Sequence, residues 1–335
     1  MAHRSPAIWR RSRLARSRCL QVGIAACGIH LATSATWASA HAGQPLAPHD
    51  LWWAWRWDPV VCLLLLVSAW LYGHGLSRLW RRAGVGRGVR HWQVAAFVGG
   101  WVTLVVTLVS ALDRLGAVLF SAHMVQHTLL MLLAAPLFVL SRPLIPFLWG
   151  LPMSWRRRLN RWWGQGRGAR RTWRMLIDPR VAWMLQTVAL WGWHAPGLYQ
   201  AALASATVHA LQHLSFLGSA MLFWWALVYG KHGRRGYGIA VLAVFTTAVQ
   251  SSILGALLTF APAPWYPAYI ETTAAWGFDP LQDQQLAGLV MWVPAGGLYT
   301  LASLAFLAVW LQEGERRTPP RETRLGFKAQ LRDGD

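Results

Sequence analysis

Residues 60–112 read VVCLLLLVSAWLYGHGLSRLWRRAGVGRGVRHWQVAAFVGGWVTLVVTLVSAL. Two runs free of Asp, Glu, Lys and Arg, 60–77 and 92–112, flank a loop, 78–91, that carries five arginines. About 20 apolar residues cross the hydrocarbon core of a bilayer as a helix, and a backbone in lipid must satisfy its own hydrogen bonds. The stretch therefore predicts two membrane helices joined on the side where basic loops stay, the cytoplasm.

The same pattern extends in both directions. Charge-free runs recur at 122–141, 181–197, 207–229, 238–260 and 286–311, giving seven in all. The first and fourth are short and are expected to extend into their Trp-rich flanks. Basic residues fall in alternate connections. Segment 142–180 has ten, loop 230–237 has Lys231, Arg234 and Arg235, and the tail after 311 has six. From residue 41 onward the opposite side has only Arg56 and Arg114. This alternation predicts an all-α, polytopic membrane protein with seven transmembrane helices in the mature chain, N-out and C-in, in a bacterial inner membrane. Composition agrees: of 335 residues, 55% are hydrophobic, only 13% are charged and 24 are Trp, a residue suited to the headgroup level. The net charge of +20 lies in loops between apolar runs and not on one face of a soluble fold, which excludes nucleic acid as a partner and leaves the lipid bilayer.

Ahead of the first run, residues 1–18 hold six arginines, 19–37 are apolar, and Ala38-Ser39-Ala40 forms an A-x-A site. Residues 1–40 read as a signal peptide, with an uncleaved signal anchor as the alternative. The organisation expected is then a short periplasmic segment at 41–59, a transmembrane domain at 60–311 and a basic cytoplasmic tail at 312–335. Cleavage would leave His41 as the N-terminus, where its amine and imidazole form a chelating pair. It would also remove Cys19 and Cys27 and leave Cys62 without a disulfide partner. Segment 152–174 interleaves Trp155, Trp162, Trp163 and Trp173 with arginines, as a surface helix on anionic lipid would. Pro136 is expected to kink the third run, Pro196-Gly197 to end the fourth, and Pro294 with Gly296-Gly297 to break the seventh. The outer loop 261–285, acidic and aromatic, either docks a partner or rests on the interface.

Ionisable side chains at membrane depth are costly and mark function. Five of the twelve histidines share one predicted layer near the outer face: His123 and His127, His209 and His213, and His194. The two pairs repeat one pattern, H-x-x-Q-H, through Gln126 and Gln212. Spacing i, i+4 puts both imidazoles on one helix face, about 6 Å apart along the axis. That suits two ligands of one metal ion. A haem clamped by one histidine from each pair stays open. Neutral imidazole binds zinc, copper, iron and nickel; soft atoms at similar depth, Cys62, Met124 and Met291, tilt the choice to copper. Gln126, Gln212 and Asp283 are candidate further ligands or supports.

These residues resemble a known family. His123-x-x-Gln126-His127 followed by Ala135-Pro136-Leu137 is similar to a motif of the membrane-embedded CtaG family of cytochrome c oxidase assembly factors, first tied to caa-type oxidase. So are Trp193-His194-Ala195-Pro196-Gly197-Leu198-Tyr199, His209-x-x-Gln212-His213 with Phe223-Trp224, and Asp283-Gln284-Gln285-x-Ala287-Gly288 running into Met291-Trp292-Val293-Pro294. The resemblance covers roughly residues 50–312. It implies a multi-pass factor needed to make active haem–copper oxidase through copper supply to the catalytic subunit. With the outward histidine layer, the expected role is a non-enzymatic assembly factor that holds copper, as Cu(I), takes it from periplasmic copper donors and passes it to subunit I. A copper transporter and a haem-binding or haem-insertion protein are the alternatives. Transport is disfavoured because the inner halves of the runs carry no charged residue.

Overall fold

The computed structural model describes residues 46, 48–230 and 234–316. The chain divides into Met1–Pro45, which lies outside the described residues together with the leader and His41, and a helical unit from Leu46 onward. Among the described residues there is no strand.

Three helices start on the same device. Asp58, Asp178 and Asp279 each precede a proline, at Pro59, Pro179 and Pro280. Proline at the first helical position gives up an N–H that has no partner there, and the aspartate accepts from the next free ones. Asp58 Oδ1 takes Val60 N at 2.9 Å and Val61 N at 3.1 Å, Asp178 Oδ1 takes Arg180 N at 3.0 Å, and Asp279 Oδ1 takes Leu281 N at 2.9 Å.

In chain order the helices are α1 (Pro59–Ala83), α2 (His91–Leu108), the single turn α3 (Ala111–Leu115), α4 (Phe120–Ser141) and α5 (Leu144–Gly150). Then come α6 (Met153–Gln165), α7 (Arg167–Leu176), α8 (Pro179–His194) and α9 (Pro196–Ala204). The last are α10 (Ala206–Tyr229), α11 (Arg234–Thr259) and α12 (Pro280–Arg316). Six of them, α1, α2, α4, α10, α11 and α12, are long and apolar enough to cross a membrane. The fourth expected span is the exception. It does not grow into its flanks: α8 has 16 residues, fixed between Asp178-Pro179 and Pro196, about 24 Å at 1.5 Å per residue.

Proline acts differently in the other two places. Ahead of Pro136, whose ring cannot donate to the carbonyl four residues back, α4 widens into a π turn over Leu130–Ala134 and then resumes. Pro294 does not break the last helix as expected; α12 runs continuously from Pro280 to Arg316. Its neighbour α11 packs along it. The contact is close because both sides lack a side chain: a Cβ on Gly288 would come within 2.6 Å of Gly255 O.

α4 sits inside, packed on α2, α10 and α12, while α8 packs on α10 and α11. One apolar core joins Phe120, Met124, Leu190, Tyr199, Phe216, Phe223, Met291 and Tyr299 across α4, α8, α9, α10 and α12. Helices α6 and α7 bury none of their residues, and Trp173 of α7 meets Trp225 of α10 edge-on at 5.9 Å. Loop 261–285 packs part of its aromatic content inward. It folds as two short 3-10 turns over the bundle end and buries Tyr266, Tyr269 and Thr273 there.

Candidate metal centre

The N-terminal turns of α4 and α10 and the C-terminus of α8 meet at that end of the bundle. The i, i+4 spacing sets each histidine pair on one face, and the faces oppose each other. Ring centroids are 4.4 Å apart for His123–His127 and 4.2 Å for His209–His213. Across the helices they are 5.3 Å for His123–His209 and 5.3 Å for His127–His213. One ligand atom each from His123, His209 and His213 lie within 4.8 Å of one another, so that modest side-chain rotations would bring all three onto one ion at ordinary metal–nitrogen distances of about 2.0 Å.

These rings are buried, His209 least so: it is half-buried, while His123 and His127 are 1% exposed. Buried polar atoms are normally paired. Here Nε2 of His123, His209 and His213 and both ring nitrogens of His127 have no hydrogen-bond partner. His123 Nδ1 lies 3.2 Å from Gly116 O, an acceptor only, so the proton sits on Nδ1 and Nε2 presents a lone pair to the cluster.

The support around α4 is built from distant segments. Asp283, fully buried at the start of α12, accepts from Phe120 N at 2.6 Å, from Ser121 N at 3.2 Å and from the Ser121 hydroxyl. It caps the helix that carries His123 and His127. Gln126 Nε2 donates to Thr107 O at 2.7 Å and to Asp113 Oδ1 at 3.2 Å. Arg56 Nη1 donates to Asp113 Oδ2 at 2.7 Å. Burial alone would lower the Arg56 pKa, but Asp113 outweighs it and the guanidinium is held charged above its ordinary value. Neither amide atom of Gln212 makes a hydrogen bond of good geometry, although the side chain is fully buried and lies against His123.

Gly116 matters through its backbone. Its carbonyl takes His123 Nδ1 and the Tyr269 hydroxyl, the latter at 2.9 Å, and a Cβ there would meet Gln126 Oε1 at 2.5 Å. Tyr269 also shares a bond with the Tyr199 hydroxyl at 2.8 Å, and Tyr266 OH donates to His194 O at 2.8 Å. Burial raises the pKa of Tyr266 and Tyr269, keeping both phenols neutral donors over the histidines. Residue-type and spacing arguments missed Arg56, Asp113, Gly116 and the three tyrosines. Only the placement of Trp and Tyr in a loop without Lys or Arg hinted at Tyr266 and Tyr269, while Tyr199 stood at the end of the Trp193–Tyr199 motif with no role given to it.

Of the other expected residues, His194 stands beside the cluster, its ring 6.3 Å from His127. Met124 is fully buried, with Sδ 3.4 Å from His194 Nε2. Met291 shares with His127 the lining of a cavity of about 20 Å³, room for one water, together with Gln186, Thr247, Ser251 and Tyr299. Cys62 is half-buried on α1, which packs chiefly on α5 and α2, and does not join the histidine group.

Fold and site together define a helical, multi-span protein with a buried polyhistidine centre at one end of the bundle. The chain belongs to the family described as cytochrome c oxidase caa3 assembly factor (Caa3_CtaG), which matches residues 70–313. Among curated proteins it is similar to uncharacterized proteins of Mycobacterium bovis and Mycobacterium tuberculosis, each 26% identical over 287 residues. A protein of Mycobacterium leprae is 26% identical over 286 residues. The matches cover 81% of this chain, which spans about two-fifths (41%) of the length of those relatives. No solved structure matches.

Proposed function

We propose that this chain is a non-enzymatic assembly factor of cytochrome c oxidase that holds Cu(I) at the periplasmic face of the bacterial inner membrane. In this reading it takes the ion from periplasmic donors and passes it to subunit I. The observation that carries it is the convergence of His123, His209 and His213, with ligand atoms within 4.8 Å and Nε2 atoms buried and unpartnered. Imidazole Nε2 with its proton fixed on Nδ1 is a metal donor that brings no charge into the membrane. The four rings already pack on one another and against Tyr199 and Phe216, at 5.2 Å from His123 and 4.5 Å from His127. That leaves no slot for a macrocycle, which favours a bare ion over haem. Beneath His127 there is room for about one water, which favours holding an ion over conducting it.

The expected topology is seven spans, with α8 completing the count across a locally thinned bilayer, the N-terminus outside and the histidine end periplasmic. The alternation of basic loops supports it. Reporter fusions at Arg82, Arg171 and Arg324 are expected to read cytoplasm, and fusions at Arg114, Ser205 and Trp276 periplasm; a cytoplasmic signal at Trp276 contradicts the arrangement. The metal claim is tested on full-length protein purified in a non-chelating detergent. The wild type is expected to retain copper, and the variant His123→Ala, His209→Ala to lose the copper held by nitrogen alone. A wild type that carries haem and no copper contradicts the proposal.

A further inference from the structure

Next to the three-histidine group, two electron-pair donors face each other with no proton between them. His194 Nδ1 lies 2.6 Å from Leu190 O, which can only accept, so the ring proton sits on Nδ1 and Nε2 is a bare lone pair. Nε2 points at Met124 Sδ, 3.4 Å away, and a thioether has no hydrogen to give. Both side chains are buried. A second proton on His194 would place a charge among four other imidazoles, which burial penalises. The contact is satisfied if both donors turn to one electron-poor atom.

We propose that His194 Nε2 and Met124 Sδ form a second Cu(I) position, separate from the His123–His209–His213 position, with His127 as the ligand between them. The proposal rests on the reading of the cluster as a copper holder. Bond lengths of about 2.0 Å to imidazole and about 2.3 Å to sulfur are ordinary for first-row metals. With these, the observed 3.4 Å donor separation subtends an angle of roughly 100° at the ion, near tetrahedral. A thioether beside an imidazole is a soft pair that prefers Cu(I) to harder divalent ions.

His127 completes the position. It lies three residues beyond Met124 on the same helix and so on the same side of α4. Both of its ring nitrogens are unpartnered, and its centroid is 6.3 Å from His194 and 5.3 Å from His213. It can therefore serve either ion, or hand one ion between an all-nitrogen position and one containing sulfur. Phe216, with centroids 4.5 Å from His127 and 6.1 Å from His194, walls the pair off with an apolar ring.

The test is anaerobic Cu(I) titration of the full chain in detergent against a competing chelator, with X-ray absorption at the copper edge. The wild type is expected to bind two ions and to show a sulfur neighbour besides nitrogen. Met124→Leu, which keeps the volume, is expected to bind one ion with nitrogen neighbours only. His209→Ala is expected to keep the sulfur-bound ion. If Met124→Leu does not accumulate, the wild-type spectrum and His209→Ala decide. A wild-type spectrum with nitrogen alone, or a sulfur shell that survives Met124→Leu, overturns the second position and leaves the three-histidine reading standing. A wild type that binds no Cu(I) overturns both.

Discussion

The two H-x-x-Q-H segments are alike in sequence and unlike in surroundings. On α4, His123, Gln126 and His127 are at most 1% exposed, and the segment is tied down on every side. Asp283 caps the helix, Gly116 O fixes the His123 ring, and Gln126 is held by Thr107 and by an Asp113 that Arg56 neutralises. On α10, His209 is half-buried, Gln212 has no bond of good geometry, and the N-cap Ser205 gives its helix no side-chain bond. The same i, i+4 spacing thus yields a fixed half and an adjustable half. Under the proposed copper-holding role, one preorganised wall would hold the ion and a wall free to reorient would let it leave.

Substitutions that separate the halves can break this contrast. The largest effect is expected for His123→Ala or His213→Ala, each of which removes one of the three proposed ligands. Changes outside a metal's direct ligands commonly cost about 10–100-fold in affinity, and loss of a ligand is expected to exceed that range. Gln126→Leu comes next. It leaves Thr107 O and Asp113 Oδ1 with a lost donor, at about 1–3 kcal/mol, and should weaken Cu(I) binding by about tenfold through a loosened His123. Gln212→Leu, with no well-formed bond to lose, is expected to have the smallest effect, under about threefold in the same titration. Equal losses for the two glutamines would show that the α4 half is not the fixed one.

The helices were legible because lipid imposes a length and excludes charge, and both rules act on contiguous residues. The histidine layer was legible for a similar reason: i, i+4 spacing and depth along a span are local quantities. What escaped was non-local. Asp283 lies more than 160 positions from the helix it caps, and Arg56 lies 57 from Asp113. Nothing in the neighbouring sequence signals either bond. The end of α8 was legible, because Pro196 stops it where the sequence places the stop and begins a new helix, but the expected growth into its flanks failed because Asp178-Pro179 and Pro196 fix both ends. Pro294 was misjudged in the opposite sense. A proline inside a membrane helix can be absorbed when neighbouring segments accommodate the freed carbonyl, and hydropathy does not report neighbours.

The central claim is that these imidazoles serve copper delivery to an oxidase and are not merely structural. The most direct measurement is the activity and subunit I copper content of the oxidase in cells carrying His127→Ala, His213→Ala, normalised to the amount of this protein in the membrane. A structural histidine should act mainly through abundance, since a lost interhelical hydrogen bond in membranes costs only about 1 kcal/mol on average. His74→Ala, on α1 away from the cluster and stacked on Trp70, serves as the control and is expected to leave oxidase unchanged. The account predicts normal amounts of the double variant with an oxidase that lacks catalytic copper and activity. Full oxidase activity with normal copper in subunit I would contradict it.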